Sequence, residues 1–290
     1  RMHLVDAKGI LSAQNGMNLY RGGVHGCIYC DSRSRCYRID HPFEDVEVKR
    51  NALELLDAAL RKKRRRGMLS TGAMTDPYIP EEEIFGLTRG AMRLALRHGF
   101  GFTLQTKSTR VLRDLPLLQE LNARTRCVVQ MTLTTADEAL CRKIEPNVSA
   151  TLERARALQT LADAGVPTVA WLTPILPFIN DTPENLLSVL RLLKGAGVRG
   201  VIFFGAGLTL REGSREYFYA QLDRLFPGLK ERYARTYGLR YEIPSPDNDR
   251  LCRLFHDFCE SNNLMHDNDQ IFACLHAFPD PPSDQLSLFD

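Results

Sequence analysis

The sequence predicts an α/β fold: a partial (β/α)6 barrel of the TIM type with helical additions at its C-terminal end. Three observations predict it. Short apolar runs rich in β-branched residues alternate with amphipathic stretches of helical spacing through the middle of the chain. The connections between those runs are long enough for crossovers, as a parallel sheet requires. The 290 residues, 44% of them hydrophobic, can fill one large barrel. Six strand–helix units fall one or two short of a complete eightfold barrel, and chemistry in such a fold belongs to loops at the C-terminal strand ends.

Taken in order, Asn18–Arg21 reads as a short strand. Residues 43–65 read as a helix, with Val46, Leu53, Leu55, Leu56 and Leu60 near helical spacing. Residues 67–71 are a second strand and 80–98 a second helix. Residues 102–106 are strand-like, followed by helix 110–121. Residues 127–133 form a strand rich in β-branched side chains. Helix 150–164 stops at Gly165, and strand 168–172 begins just after Pro167. Helix 182–196 has Thr182 as N-cap and Pro183 at its first position. Residues 201–204 are a sixth strand, and 211–237 continue as helices. Residues 1–240 are thus expected to form the barrel, 241–278 a helical extension, and 279–290 a flexible tail rich in Pro, Asp and Ser.

A formal net charge of +3 is too small to imply nucleic-acid binding by itself. No apolar run reaches the roughly 18 residues of a membrane span. Residues 1–15 carry no signal-peptide core, so a cytoplasmic location is expected. The eight cysteines (27, 30, 36, 127, 141, 252, 259 and 274) are then thiols or metal ligands rather than disulfides. Cys252 and Cys259 share a helical face and read as buried thiols.

The most informative segment is Asn18-Leu-Tyr-Arg-Gly-Gly-Val-His-Gly-Cys-Ile-Tyr-Cys30. The spacing of Cys27 and Cys30 lets two thiolates reach one metal centre. On spacing alone they are equally a redox pair, half a zinc site or two buried thiols. The whole segment resembles the Asn-x-Tyr-Arg-Gly-Cys-x-His-Gly-Cys-x-Tyr-Cys loop of spore photoproduct lyase-like radical S-adenosylmethionine (SAM) proteins. The resemblance continues, in the family's order, through Tyr29-Cys-Asp-Ser-Arg-Ser34, Thr71-Gly-Ala-Met-Thr-Asp-Pro-Tyr78, Thr106-Lys-Ser108, Lys143-Ile-Glu-Pro146 and Pro174-Ile-Leu-Pro-Phe-Ile-Asn-Asp181.

That resemblance implies a [4Fe–4S] cluster held by three cysteines, with its fourth iron binding SAM and a 5′-deoxyadenosyl radical as product. It assigns Cys27 and Cys30 to the cluster. Gly23, which has no ligand atom, stands at the first of the three positions. Four accounts stay open: a substituted variant of an active enzyme, Cys36 as third thiolate, a water or small molecule in the empty place, or an inactive chain with little cluster. The intact remainder of the motif favours the first.

The resemblance also places Tyr29 against the adenine, Lys107 near the methionyl carboxylate and Thr132 beside the cofactor. Each has a plainer reading: a core tyrosine, a surface charge and a β-forming strand residue. Glu145 and Pro146 are expected to shape a turn. In true spore photoproduct lyases the loop matching Ser70–Tyr78 carries a hydrogen-donating cysteine; here Met74 stands there, without an S–H bond, and Cys141 lies in a different, helical segment.

Nucleic acid enters through charge and through the tail. Arg61-Lys-Lys-Arg-Arg-Arg66 suits a helix C-terminus and reads either as a solvated end or as a phosphate contact. Arg33, Arg35 and Arg38 can clamp an anion or pair with Asp31 and Asp40. Gln285-Leu-Ser-Leu-Phe289 resembles the peptide by which bacterial DNA-processing proteins bind the sliding clamp, with Gln285 setting register and Leu286, Leu288 and Phe289 filling apolar pockets. The leading expectation is radical SAM chemistry on nucleic acid, in repair or modification. Against it stand a non-catalytic, DNA-associated adaptor docking through the tail, and a zinc or redox protein using Cys27, Cys30 and Cys36.

Overall fold

The computed structural model describes residues 1–279. The chain enters through β1 (Met2–Val5), β2 (Gly16–Met17), β3 (Tyr20–Arg21), β4 (Val46–Lys49) and α1 (Ala52–Lys62). It continues with β5 (Met68–Thr71), α2 (Glu82–Phe85), α3 (Leu87–His98), β6 (Gly101–Thr106) and α4 (Leu115–Arg124). Then come β7 (Cys127–Thr132), α5 (Glu138–Ile144), α6 (Thr151–Asp163), β8 (Thr168–Trp171), α7 (Pro183–Gly195) and β9 (Gly200–Ile202). The last described elements are β10 (Gly207–Thr209), α8 (Ser214–Leu225), α9 (Leu229–Tyr237), β11 (Glu242–Pro244), α10 (Asn248–Ser261) and α11 (Asn268–His276).

The expected parallel sheet is present. Six strands lie in the order β2-β5-β6-β7-β8-β9, and every neighbouring pair is parallel. Helices cover the sheet, so the central β7 is buried at all six positions and reads as a continuous run instead of an alternation. α7 starts as the sequence predicts: the Thr182 hydroxyl accepts a hydrogen bond from the Asn185 amide at 3.1 Å, with Pro183 in the first turn. Its buried Leu186, Val189, Leu190 and Leu193 recur at helical spacing, and α10 packs against it.

Several boundaries differ from the sequence reading. Of the strand expected over Asn18–Arg21 only Tyr20–Arg21 forms, as β3 in a separate sheet of order β1-β4-β3; the strand that edges the main sheet is β2, just before the expected range. The helix expected over 43–65 begins only at Ala52, because Val46-Glu-Val-Lys49 is a strand between β1 and β3. Val46 and Val48 are both fully buried, and their two-residue spacing outweighs the helical spacing that Val46 also shares with Leu53. The helix over 80–98 breaks at Gly86, whose φ of +59° ends α2 and starts α3. Before α4, residues 109–114 form a 3-10 turn. β10 pairs antiparallel with β11 across the α8–α9 excursion, and both strands escaped the sequence reading because they are three residues long.

Candidate functional site

The strand ends of the main sheet open onto a cavity of about 840 Å³. The loop after β3 brings Gly23, His25, Cys27, Tyr29 and Cys30 to it; the loop after β5 brings Met74 and Asp76; the ends of β6 and β7 bring Lys107 and Thr132. Trp171, Phe204 and Tyr241 line its far side, with Phe204 and Tyr241 largely exposed. All five residues singled out in the sequence for cluster and cofactor therefore face one space. No helix among the described residues is long and apolar enough to cross a membrane.

Behind the lining lies a buried polar frame. Tyr29 donates its hydroxyl to Glu145, which is itself fully buried. Arg154 of α6 pairs with Glu145 at 2.5 Å and donates to the Thr132 carbonyl at 2.6 Å and to Cys141 Sγ at 3.2 Å. Burial would raise the Glu145 carboxyl, but Arg154 and Lys107 hold it below the usual carboxylate range. The Lys107 ammonium lies 5.7 Å from the centre of the Tyr29 ring. Burial works against its charge, yet Cys27, Glu145 and Asp76 outweigh burial and keep it protonated. Burial also pushes the Cys27 thiol up to about 12, against the pull of Lys107.

Asp76 accepts from the Thr106 hydroxyl and the Lys107 amide, each at 2.7 Å. Its Oδ2 lies 2.9 Å from His25 Nε2, a contact bent away from a straight hydrogen bond. Burial would raise this carboxyl too, but His25, the Lys107 amide and Thr106 bring it to about 2. Both ring nitrogens of His25 are buried without a hydrogen-bond partner of good geometry.

Gly22 and Gly23 differ in what they permit. Gly22 has φ +96°, and a Cβ there would lie 2.6 Å from the Phe43 carbonyl oxygen, so only glycine fits. Gly23 has no such φ; a Cβ would meet the edge of the Phe43 ring at 3.1 Å, a contact that a small ring shift relieves. The backbone at Gly23 thus has room for a side chain without strain.

Other sequence candidates lie elsewhere. Cys36 is exposed, accepts a hydrogen bond from Arg211 at 3.5 Å and is not part of the cavity wall. Arg33 lines the cavity but is sandwiched between the Phe43 and Tyr217 rings and paired with Glu44; Arg35 pairs with Glu212. The basic run 61–66 is exposed and sits before β5, at the end of the strand opposite the cavity. Cys259 is buried as expected, whereas Cys252 is half-buried. Gln285, Leu286, Leu288 and Phe289 lie outside the described residues.

Sequence reasoning passed over His25, Asp76 and Arg154, and gave Glu145 only a turn. Arg154 had a readable signal: it occupies the apolar stripe of α6 together with Ala157, Leu158 and Leu161. His25 and Asp76 stood inside the two quoted motifs, the cysteine loop and Thr71–Tyr78, but no role was read for either.

A family model described as the Radical SAM superfamily matches residues 17–187. The chain belongs to that superfamily. It is 32% identical over 241 residues to an uncharacterized protein of Mycobacterium tuberculosis, covering 81% of this chain and 70% of that one. An uncharacterized protein of Acidianus two-tailed virus is 27% identical over 219 residues, covering 71% of each chain. In structure, a spore photoproduct lyase mutant superposes with a TM-score of 0.67 at 12% identity, over 91% of this chain and 80% of that one. A second, solved with bound AdoMet and dinucleoside spore photoproduct, gives 0.64 at 12% identity over the same shares. The fold is thus the α/β fold of a radical SAM protein, and the superfamily implies SAM and an iron–sulfur cluster.

The residues present suit that pair: both thiols and the cationic Lys107 share the cavity. A single zinc ion needs its donors crowded around bonds of roughly 2.0–2.3 Å. Among the described residues, Cys27 and Cys30 belong to no set of three His, Cys, Asp or Glu donors lying within 4.8 Å of one another. The sets that do, His3/His41/Glu47 and His256/Glu260/His266, include neither cysteine.

Proposed function

We propose that the chain is a radical SAM enzyme of the spore photoproduct lyase-like branch, with a [4Fe–4S] cluster on Cys27 and Cys30 and nucleic acid as its target, in repair or modification. The observation that carries the reading is the single cavity onto which both thiols, Tyr29, Lys107 and Thr132 open. When bound, the cluster supplies the electron that cleaves SAM to a carbon-centred radical.

The chain's own residues do the rest. Lys107, held protonated, offers a cation to the methionyl carboxylate. Tyr29, fixed through Glu145, presents a flat ring to the adenine. Thr132 is held at the mouth by Arg154 on its carbonyl, leaving its hydroxyl for the cofactor. The exposed rings of Phe204 and Tyr241 suit the stacking of unpaired bases. Met74 lines the cavity and has no S–H bond, so hydrogen return from that position does not belong to this reaction. We further propose that Gln285–Phe289 docks a sliding clamp. Gly23 favours a second reading, a non-catalytic adaptor that keeps the barrel and binds through its tail.

Anaerobic reconstitution with iron and sulfide tests the first reading. Iron near four per chain and 5′-deoxyadenosine release under reduction are expected of the enzyme. Clamp binding that is lost on deleting 280–290, without cluster or cleavage even in Gly23→Cys, identifies the adaptor.

A further inference from the structure

We infer that His256, Glu260 and His266 form a metal site of their own, outside the cavity, which takes a divalent ion of the zinc type and pins the end of α10 to the edge of the main sheet. His256 and Glu260 are four residues apart on α10, so both project from one face of the helix. His266 meets them from the segment between α10 and α11. Its Nε2 lies 2.9 Å from His256 Nδ1 and 3.3 Å from Glu260 Oε1. All three donor atoms lie within 4.8 Å of one another. Zinc bonds of roughly 2.0–2.2 Å to nitrogen and oxygen set tetrahedral ligands roughly 3.3–3.6 Å apart. An ion therefore needs only a small outward turn of the exposed His256 ring.

Three features favour an ion over an ordinary polar cluster. The first is the direction of the lone pairs. His266 Nδ1 lies 3.0 Å from the Leu264 carbonyl oxygen and donates its N–H there. With that proton on Nδ1, the Nε2 lone pair faces His256 and Glu260, as in a metal-bound imidazole oriented by a backbone carbonyl. His256 can donate one N–H to it, but the Glu260 oxygen adds only more lone pairs; a cation draws in all three donors. The second is charge. Among the described residues no Lys or Arg pairs with Glu260, whereas Glu47 of the other three-donor set lies 3.5 Å from Arg21. The third is rigidity. The Met265 amide donates to the Arg199 carbonyl at 3.2 Å, and the Met265 carbonyl accepts from the Val201 amide at 2.9 Å, so His266 follows a segment bonded to β9. Its ring meets Phe255 edge-on at 6.1 Å. Two imidazoles and a carboxylate suit zinc, and the exposed His256 and Glu260 leave its fourth position to water.

The test uses the full chain without a polyhistidine tag, stripped with EDTA, beside a Cys27→Ser/Cys30→Ser variant that removes the cavity thiols. Each is titrated with zinc by calorimetry and with cobalt(II) by absorption. His256→Ala is then added to the thiol-free variant; His256 is exposed, so its loss leaves the fold intact. The expected result is one ion per chain in the thiol-free variant, with cobalt d–d bands and no thiolate charge-transfer band. Changes in the outer partners of a metal already cost roughly 10–100-fold in affinity, so losing His256 should weaken binding at least roughly tenfold. Zinc should raise the unfolding temperature of the thiol-free variant and not of the one that also lacks His256. Zinc binding that disappears with Cys27 and Cys30, a thiolate band in the thiol-free variant, or undiminished affinity without His256 overturns the assignment.

Discussion

One guanidinium ties the cofactor side of the cavity together. Arg154 reaches the Thr132 carbonyl, Cys141 and Glu145, and through Glu145 it fixes Tyr29. Arg154→Met leaves a buried carboxylate without its cation, so a loss of about 3–5 kcal/mol is expected in urea titrations. Asp76 gives a pH signature. Its carboxyl falls from 3.8 in the unfolded chain to about 2 in the fold, a contribution of about 2 kcal/mol. That stability is present above the unfolded value and disappears as pH falls toward 2. Asp76→Asn should therefore lower the urea midpoint at pH 7, and the gap from the native chain should close in acid. At this scale Tyr29 and Lys107 were legible because each sits in a quoted motif to which the family resemblance assigns a role, and Thr132 because it ends β7. Asp76 also sits in such a motif, but its role was not legible, since its partners come from the neighbouring strand and the cysteine loop and meet only in the fold.

Among the elements, α7 shows what local chemistry determines. Its cap and its first-turn proline are both readable in sequence, and Thr182→Ala is expected to cost about 1 kcal/mol in chemical unfolding. β4 shows the opposite. Val46 and Val48 suit a strand, but the choice was decided by β1 and β3, which lie far away in sequence or were too short to read. The two glycines of the cysteine loop differ in the same way. Gly22→Ala should destabilise the chain by more than the roughly 1–2 kcal/mol of its positive φ alone, because the new Cβ also meets the Phe43 carbonyl oxygen, whereas Gly23→Ala should unfold near the native temperature. Differential scanning calorimetry of the pair checks this.

Across the whole molecule, five of the six parallel strands, β5 to β9, were legible because each carries its own apolar run, whereas the edge strand β2 is only two residues long and was missed. The β1-β4-β3 sheet and the β10–β11 pair were not legible either, because pairing between distant short segments leaves no local period. The sheet also separates two surfaces that sequence alone cannot place. The cavity opens at one end of the strands, and the basic run 61–66 is exposed at the other. β6, from Gly101 to Thr106, sets the distance between them at roughly 20 Å. On the proposed nucleic-acid reading, a fragment of two or three nucleotides in the cavity stays clear of the run, whereas a long polymer can bridge both ends. Neutralising Arg61–Arg66 should thus leave the affinity for short fragments and its ionic-strength dependence untouched. For long strands the same change should flatten the salt slope, and on that reading substrate length would be sensed through a surface remote from the cavity.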